Sequence, residues 1–161
     1  MDQNRVARDI EALPDEAAVR ALAAVVEEQG LLDAARQHDW DRAELAGMLD
    51  AADVAAYAEP GHGTASEGDL ARAVLVYAAS RDADLARTVD EAVDYARSPS
   101  ERFDPVSLLV PVLVIVLLQT EVVVKRDTRG KWSLTIRKAA MKDAALGRVF
   151  TALLSRINGG Q

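Results

Sequence analysis

"DPVSLLVPVLVIVLLQT", residues 104–120, holds the longest apolar run of the chain, and its reading as membrane segment, strand or helix decides the fold. Val106 to Leu118 is 13 residues, about 20 Å as a helix, whereas crossing the hydrocarbon layer takes about 20 residues. Extension through Val124 would carry Gln119, Thr120 and Glu121 into the bilayer, where an acid is costly. Asp104 before Pro105 is a helix-start signal: the aspartate accepts hydrogen bonds from free amides, and proline fills a position whose missing N–H costs nothing. Against a continuous helix stand Pro111 and the β-branched series Val112, Val114, Ile115 and Val116. A buried helix kinked at Pro111 is the first reading; a short helix to Val110 followed by a strand from Val112 stays open.

The run leads into "EVVVKRDTRGKWSLTIRK", where two alternating stretches flank "DTRG". A four-residue loop ending in glycine suits a type I turn followed by a left-handed residue, so the segment predicts a β-hairpin. Val122 and Val124 share one face with Trp132, Leu134 and Ile136, while Lys131, Ser133, Thr135 and Arg137 face the other way. A lone two-stranded hairpin is marginal in water, so its apolar face should rest on a helix, and the helix from about Asp143 to Ile157 is the candidate. In that helix Leu146, Val149, Phe150, Leu153, Leu154 and Ile157 follow helical spacing, and "NGG" at 158–160 ends it.

The first hundred residues predict five or six short helices. One follows Pro14 with Val19, Leu22, Val25 and Val26 as its stripe and Gly30 as its stop; a second runs from Leu31 to about Gln37. The next, capped by Asp39 or Asp41, uses Trp40, Leu45, Met48 and Leu49. Pro60, Gly61 and Gly63 make "AEPGHGTASE" a loop, with Thr64 and Glu67 spaced as a capping box. "GDLARAV" at 68–74 and "ADLARTV" at 83–89 repeat each other weakly, as two successive helices would. The second is capped by Asp82, uses Leu85, Val89, Val93 and either Tyr95 or Ala96, and ends before Pro99. The fold class is therefore α+β, predominantly helical: a bundle over residues 1–98, then a buried apolar helix, basic hairpin and C-terminal amphipathic helix over 103–158, as two units or one continuous domain.

Composition agrees with this. Half the residues are apolar and only 4% are aromatic, which at this length favours closely packed helices over a large sheet. There is no cysteine, so disulfides, thiolate metal sites and cysteine nucleophiles are excluded. The charged N-terminus "MDQNRVARDIEALPDE" has no apolar core of a secretory signal, and a cytoplasmic location is expected. Charge is divided along the chain: residues 1–118 carry 10 Arg against 23 Asp and Glu, a net of −13, and residues 119–161 carry 9 Lys and Arg against 3 acids, a net of +6. An acidic body and a basic tail suggest two surfaces with different partners, or surfaces that pair within or between molecules. Lysines also protect exposed strand edges, and that alone accounts for part of the asymmetry.

No constellation for catalysis is found. His38 in "RQHDWD" and His62 in "PGHGT" have no second ligand at metal spacing, and no nucleophile-elbow, Walker or dinucleotide pattern occurs. A non-enzymatic protein without cofactor or metal is expected. The candidate interaction surface is the cluster Lys125, Arg126, Arg129, Lys131, Arg137, Lys138 and Lys142 around Trp132.

The segment "FDPVSLLVPVLVIVLLQTEVVVKRDTRGKWSLTIRKAAMKDAALGRVFTALLSRI", residues 103–157, resembles the small effector-associated adaptor proteins of actinobacterial multi-gene conflict systems. That resemblance implies a part in antiviral, immune-like defence by homotypic or heterotypic docking with a signalling ATPase or protease, and it assigns no site residue. The leading expectation is a protein-interaction adaptor, self-association allowed. The alternatives are nucleic-acid or anionic-ligand binding through the same hairpin, and a membrane-active effector using residues 106–118.

Overall fold

The computed structural model describes residues 3–37, 42–51, 53, 66–81, 83–97, 110–118, 122–136 and 144–159. Within them the order is α1 (Gln3–Glu11), α2 (Asp15–Glu28), α3 (Leu32–Gln37), α4 (Arg42–Ala51), α5 (Glu67–Arg81), α6 (Ala83–Arg97), α7 (Val110–Leu117), β1 (Val122–Arg126), β2 (Trp132–Ile136) and α8 (Ala144–Gly159). The architecture is α+β and predominantly helical, a bundle completed by a helix–hairpin–helix unit.

Helices α2 and α5 form the centre. In α2, Ala17, Ala18, Ala21, Leu22, Ala23, Val25 and Val26 are all buried, too many for one stripe, because α5, α6 and α7 lie against it from different sides. The many alanines allow this close approach. Asp15 and Glu16 in the first turn complement the helix dipole. At the other end Gly30 takes φ +73°, the Gly30 N–H donates to the Glu27 carbonyl (3.0 Å) and the Leu31 N–H to the Val26 carbonyl (3.0 Å). This pair of bonds closes the helix in a Schellman motif, as a glycine at that position predicts.

The repeated segment opens α5 and α6, and it buries the same three positions in each: Leu70, Ala71 and Val74, then Leu85, Ala86 and Val89. The expected capping box is displaced. Thr64 lies outside the described residues, α5 starts at Glu67, and the box is formed by Ser66 and Asp69: the Asp69 N–H donates to Ser66 Oγ and the Ser66 N–H to Asp69 Oδ2, each at 3.0 Å. In α6 the inward residue at the end is Ala96, and Tyr95 is half-exposed. The proposed caps Asp39, Asp41 and Asp82, together with Trp40, fall outside the described residues.

All eight residues of α7, Val110 to Leu117, are buried, and the helix packs on α2, α3 and α5. A helix buried all round has no polar face to give periodicity, which is why the strand alternative could survive on sequence alone. The described part of the helix is Val110–Leu117, with Pro111 as its second described residue. The Asp104–Pro105 start lies outside the described residues. Among the described residues, no helix is long and apolar enough to cross a membrane.

α8 buries Leu146, Val149, Phe150, Ala152, Leu153 and Ile157 against α5 and α4. That occupies its apolar stripe, and among the described residues the main seat of the hairpin is not α8, the helix that its sequence neighbourhood suggests. β2 instead lies on α4, whose buried residues are Leu45, Met48 and Leu49. One further helix, α1, buries Val6 and Ile10 with Leu13 beyond its end, and packs on α5 and α6.

Candidate functional site

The hairpin pairs Val122 with Ile136, Val123 with Thr135, Val124 with Leu134, Lys125 with Ser133 and Arg126 with Trp132, antiparallel. Alternation then sorts the side chains. Leu134 and Ile136 are buried, with Val124 and Trp132 partly buried beside them, while Lys125, Lys131, Ser133 and Thr135 are exposed. This is the division of faces that the sequence predicts.

The turn is built around Asp127. Its Oδ1 accepts the N–H of Arg129 (2.9 Å) and of Lys131 (2.8 Å), its own N–H donates to the Lys131 carbonyl (2.9 Å), and its carbonyl accepts the Gly130 N–H (3.0 Å). Gly130 adopts φ +83°, the left-handed conformation that closes such a loop without a Cβ penalty. The aspartate therefore directs Oδ1 to backbone amides and forms no ion pair with a described cation.

Arg126 is the exception among those cations. Its Cζ lies 5.6 Å from the centroid of the Trp132 ring, a cation–π contact, and its Nε–H reaches the Gly130 carbonyl at 3.4 Å. Trp132 is thus an anchor, partly buried against the core and with a guanidinium over its ring. Lys125, Arg129 and Lys131 are exposed and form no ion pair with a described residue. The structure brings these four residues of the candidate surface together. Arg137, Lys138 and Lys142 lie outside the described residues.

Cations of the helical body behave differently. Arg72 donates to the Leu13 carbonyl (2.9 Å), to Asp15 Oδ1 (2.9 Å) and to Asp69 Oδ1 (2.6 Å), tying the α1–α2 connection to α5. Burial disfavours its charge, but the hydrogen bonds and charges of Asp69 and Asp15 outweigh this and raise its pKa. The Ser66 N–H, and next the Arg72 guanidinium, hold the Asp69 carboxyl below its ordinary value. Arg20 donates to the Ala96 carbonyl (2.9 Å), joining α2 to the end of α6, and Arg156 reaches Glu67 at 3.2 Å. These are structural contacts.

A second charged feature depends on tertiary packing. α2 and α6 enclose an open groove of about 460 Å³ lined by Ala24, Glu27, Glu28, Thr88, Glu91, Ala92 and Tyr95. Glu27 and Glu28 read as a solvated helix face, and Glu91 belongs to another helix; only the α2–α6 packing unites them. Among the described residues no group of three His, Asp or Glu side chains is arranged to hold a metal ion. His38 and His62 lie outside those residues.

No protein-family model, curated protein or solved structure matches this chain.

Proposed function

We propose that this protein is a non-enzymatic adaptor that docks an acidic protein surface through the hairpin. The observation that carries the reading is the contrast within the hairpin itself: Asp127 is engaged by the turn and Arg126 by Trp132, while Lys125, Arg129 and Lys131 are exposed and form no ion pair with a described residue. Three exposed cations, Lys125 on β1 and Arg129 and Lys131 in the hydrogen-bonded turn, present a local set of positive charge, which favours selective, electrostatically guided docking. By the resemblance of residues 103–157, the partner is a signalling ATPase or protease of a bacterial conflict system, met in the cytoplasm.

The nucleic-acid reading uses the same cations and is the runner-up. Two features weigh against it. The amides of Arg129 and Lys131, which could cradle a phosphate, are taken by Asp127. The indole of Trp132 is covered by Arg126, so a base could stack only by displacing it. For the membrane-active reading, α7 would have to leave a site in which each of its residues is buried.

The test is capture from a lysate of the native host with immobilised protein, comparing wild type, the hairpin variant Lys125→Ala/Arg129→Ala/Lys131→Ala and a control, Arg8→Ala/Arg87→Ala/Arg148→Ala, with the same charge removed from the helices. Proteins retained by wild type and control but lost by the hairpin variant support the reading; identical retention by all three contradicts it. A mobility shift with single- and double-stranded DNA and RNA at low salt, where phosphate contacts are strongest, separates the runner-up.

A further inference from the structure

The hairpin and the α2–α6 groove are complementary in charge, and the fold keeps them apart. On the hairpin, Lys125, Arg129 and Lys131 are exposed without a described ion-pair partner. In the groove, Glu27, Glu28 and Glu91 are likewise exposed and unpaired with any described residue. Every other feature of the groove suits a narrow projecting element. Ala24 and Ala92 give it small walls, while Thr88 and Tyr95 supply hydroxyls along α6. A hairpin tip carrying three cations is complementary in charge to such a slot lined by three glutamates.

The hairpin cannot serve the groove of its own chain in this fold. β2 is held on α4 by Leu134 and Ile136, whereas the groove lies between α2 and α6, and α6 packs only on α1, α2 and α5 to any substantial extent. A second copy is free of that constraint. We propose that the protein self-associates head to tail, the basic hairpin of one copy entering the acidic α2–α6 groove of the next. The proposal rests on the reading of the hairpin as a docking surface and names a second copy of this chain as one of its partners.

Two consequences follow from physics. The contact is heterologous, using different patches on the two copies, so each added copy leaves one free hairpin and one free groove, and assembly grows unless the rotation closes a ring. The contact is also small and its charges are exposed, so it is weak and screened by salt. The net charge of −7 opposes association at long range, which leaves the local match to supply the attraction.

Sedimentation velocity of the full chain over a range of concentrations at about 0.05 M and about 0.5 M salt reads this directly, since the screening length shrinks several-fold toward the higher value. At low salt the mass should rise with concentration above the monomer's 17.3 kDa, and high salt should return it to monomer. The hairpin variant Lys125→Ala/Arg129→Ala/Lys131→Ala and the groove variant Glu27→Gln/Glu28→Gln/Glu91→Gln should each be monomeric with unchanged melting temperatures. Mixed together, they should form a 1:1 complex and nothing larger, because only one intact hairpin meets one intact groove. A wild type that stays monomeric at low salt, variants that still associate singly, or a mixture with no 1:1 complex would overturn the proposal.

Its failure is distinguishable from failure of the adaptor reading. A monomeric wild type with hairpin-dependent capture of host proteins removes self-docking alone. Head-to-tail assembly with capture indifferent to the hairpin removes the adaptor reading alone.

Discussion

In the helical body Arg72 ends on Asp15, Asp69 and the Leu13 carbonyl, Arg20 on the Ala96 carbonyl and Arg156 on Glu67, while Arg8 and Arg148 are exposed surface charges. In the hairpin Lys125, Arg129 and Lys131 end in solvent. The repeated segment sharpens the contrast, since Arg72 and Arg87 stand at equivalent positions and each faces an aspartate three residues earlier. Arg72 is 15% exposed and 2.6 Å from Asp69, whereas Arg87 is 65% exposed and 3.7 Å from Asp84. The same local sequence yields a clamp where a second element closes over it and a loose surface pair where none does. Position in the fold, more than residue type, decides which cations hold the protein together and which remain for a partner.

The body should fail first and most completely at its apolar centre. Leu113 is fully buried in α7, and Leu113→Asp places an uncompensated charge there; a loss of more than about 4 kcal/mol is expected, enough to unfold most of the protein. Thermal unfolding followed by circular dichroism checks this, and a folded variant with an unchanged melting temperature would contradict the buried placement of α7. Next comes the clamp. Arg72→Met keeps the aliphatic stem but deserts the Leu13 carbonyl and two carboxylates, and should cost about 1–3 kcal/mol in denaturant unfolding.

Asp69 gives the contrast a pH dependence. Its carboxyl titrates lower in the folded protein than in the unfolded chain, because the ionised form accepts the Ser66 N–H and pairs with Arg72. The folded state therefore binds the proton less readily, and the stabilisation is fully present above the unfolded value near pH 4. It is lost as pH falls through the depressed folded value. Asp69→Asn should be less stable than wild type at neutral pH, and the difference should shrink as melting temperatures are followed into acid. A constant difference across that range would mean that the charge of Asp69 is not what stabilises the box.

Much of this organisation is legible in the sequence, and the gaps have physical causes. α2, α3, α4, α5, α6 and α8 announce themselves by helical spacing, and the hairpin by alternation around a glycine-ended turn. α1 carries only a short stripe, Val6 and Ile10 with Leu13 just past its end, at i, i+4 and i+7, on a helix of nine residues without a cap signal. α7 is helical although five of its eight residues are β-branched and favour strand, because complete burial on α2, α3 and α5 overrides propensity. The seat of the hairpin on α4 could not be read either, as it depends on which stripes the other helices had already covered. For the candidate surface, alternation places Lys131, Ser133 and Thr135 outward, while the bonds of Asp127 to the turn amides and the contact of Arg126 with Trp132 depend on turn geometry and strand register. The acidic groove joins Glu91 to Glu27 and Glu28 only through tertiary packing.

The smallest effect on stability should come from the hairpin. Removing Lys125, Arg129 and Lys131 together breaks no described contact of their side chains, and a change within about 0.5 kcal/mol is expected. The most direct test of the central claim measures both consequences on one preparation: the melting temperature of Lys125→Ala/Arg129→Ala/Lys131→Ala and its capture of host proteins, each beside wild type. The account predicts an unchanged melting temperature with lost capture. A lowered melting temperature with capture intact would place these cations among the structural ones and contradict it.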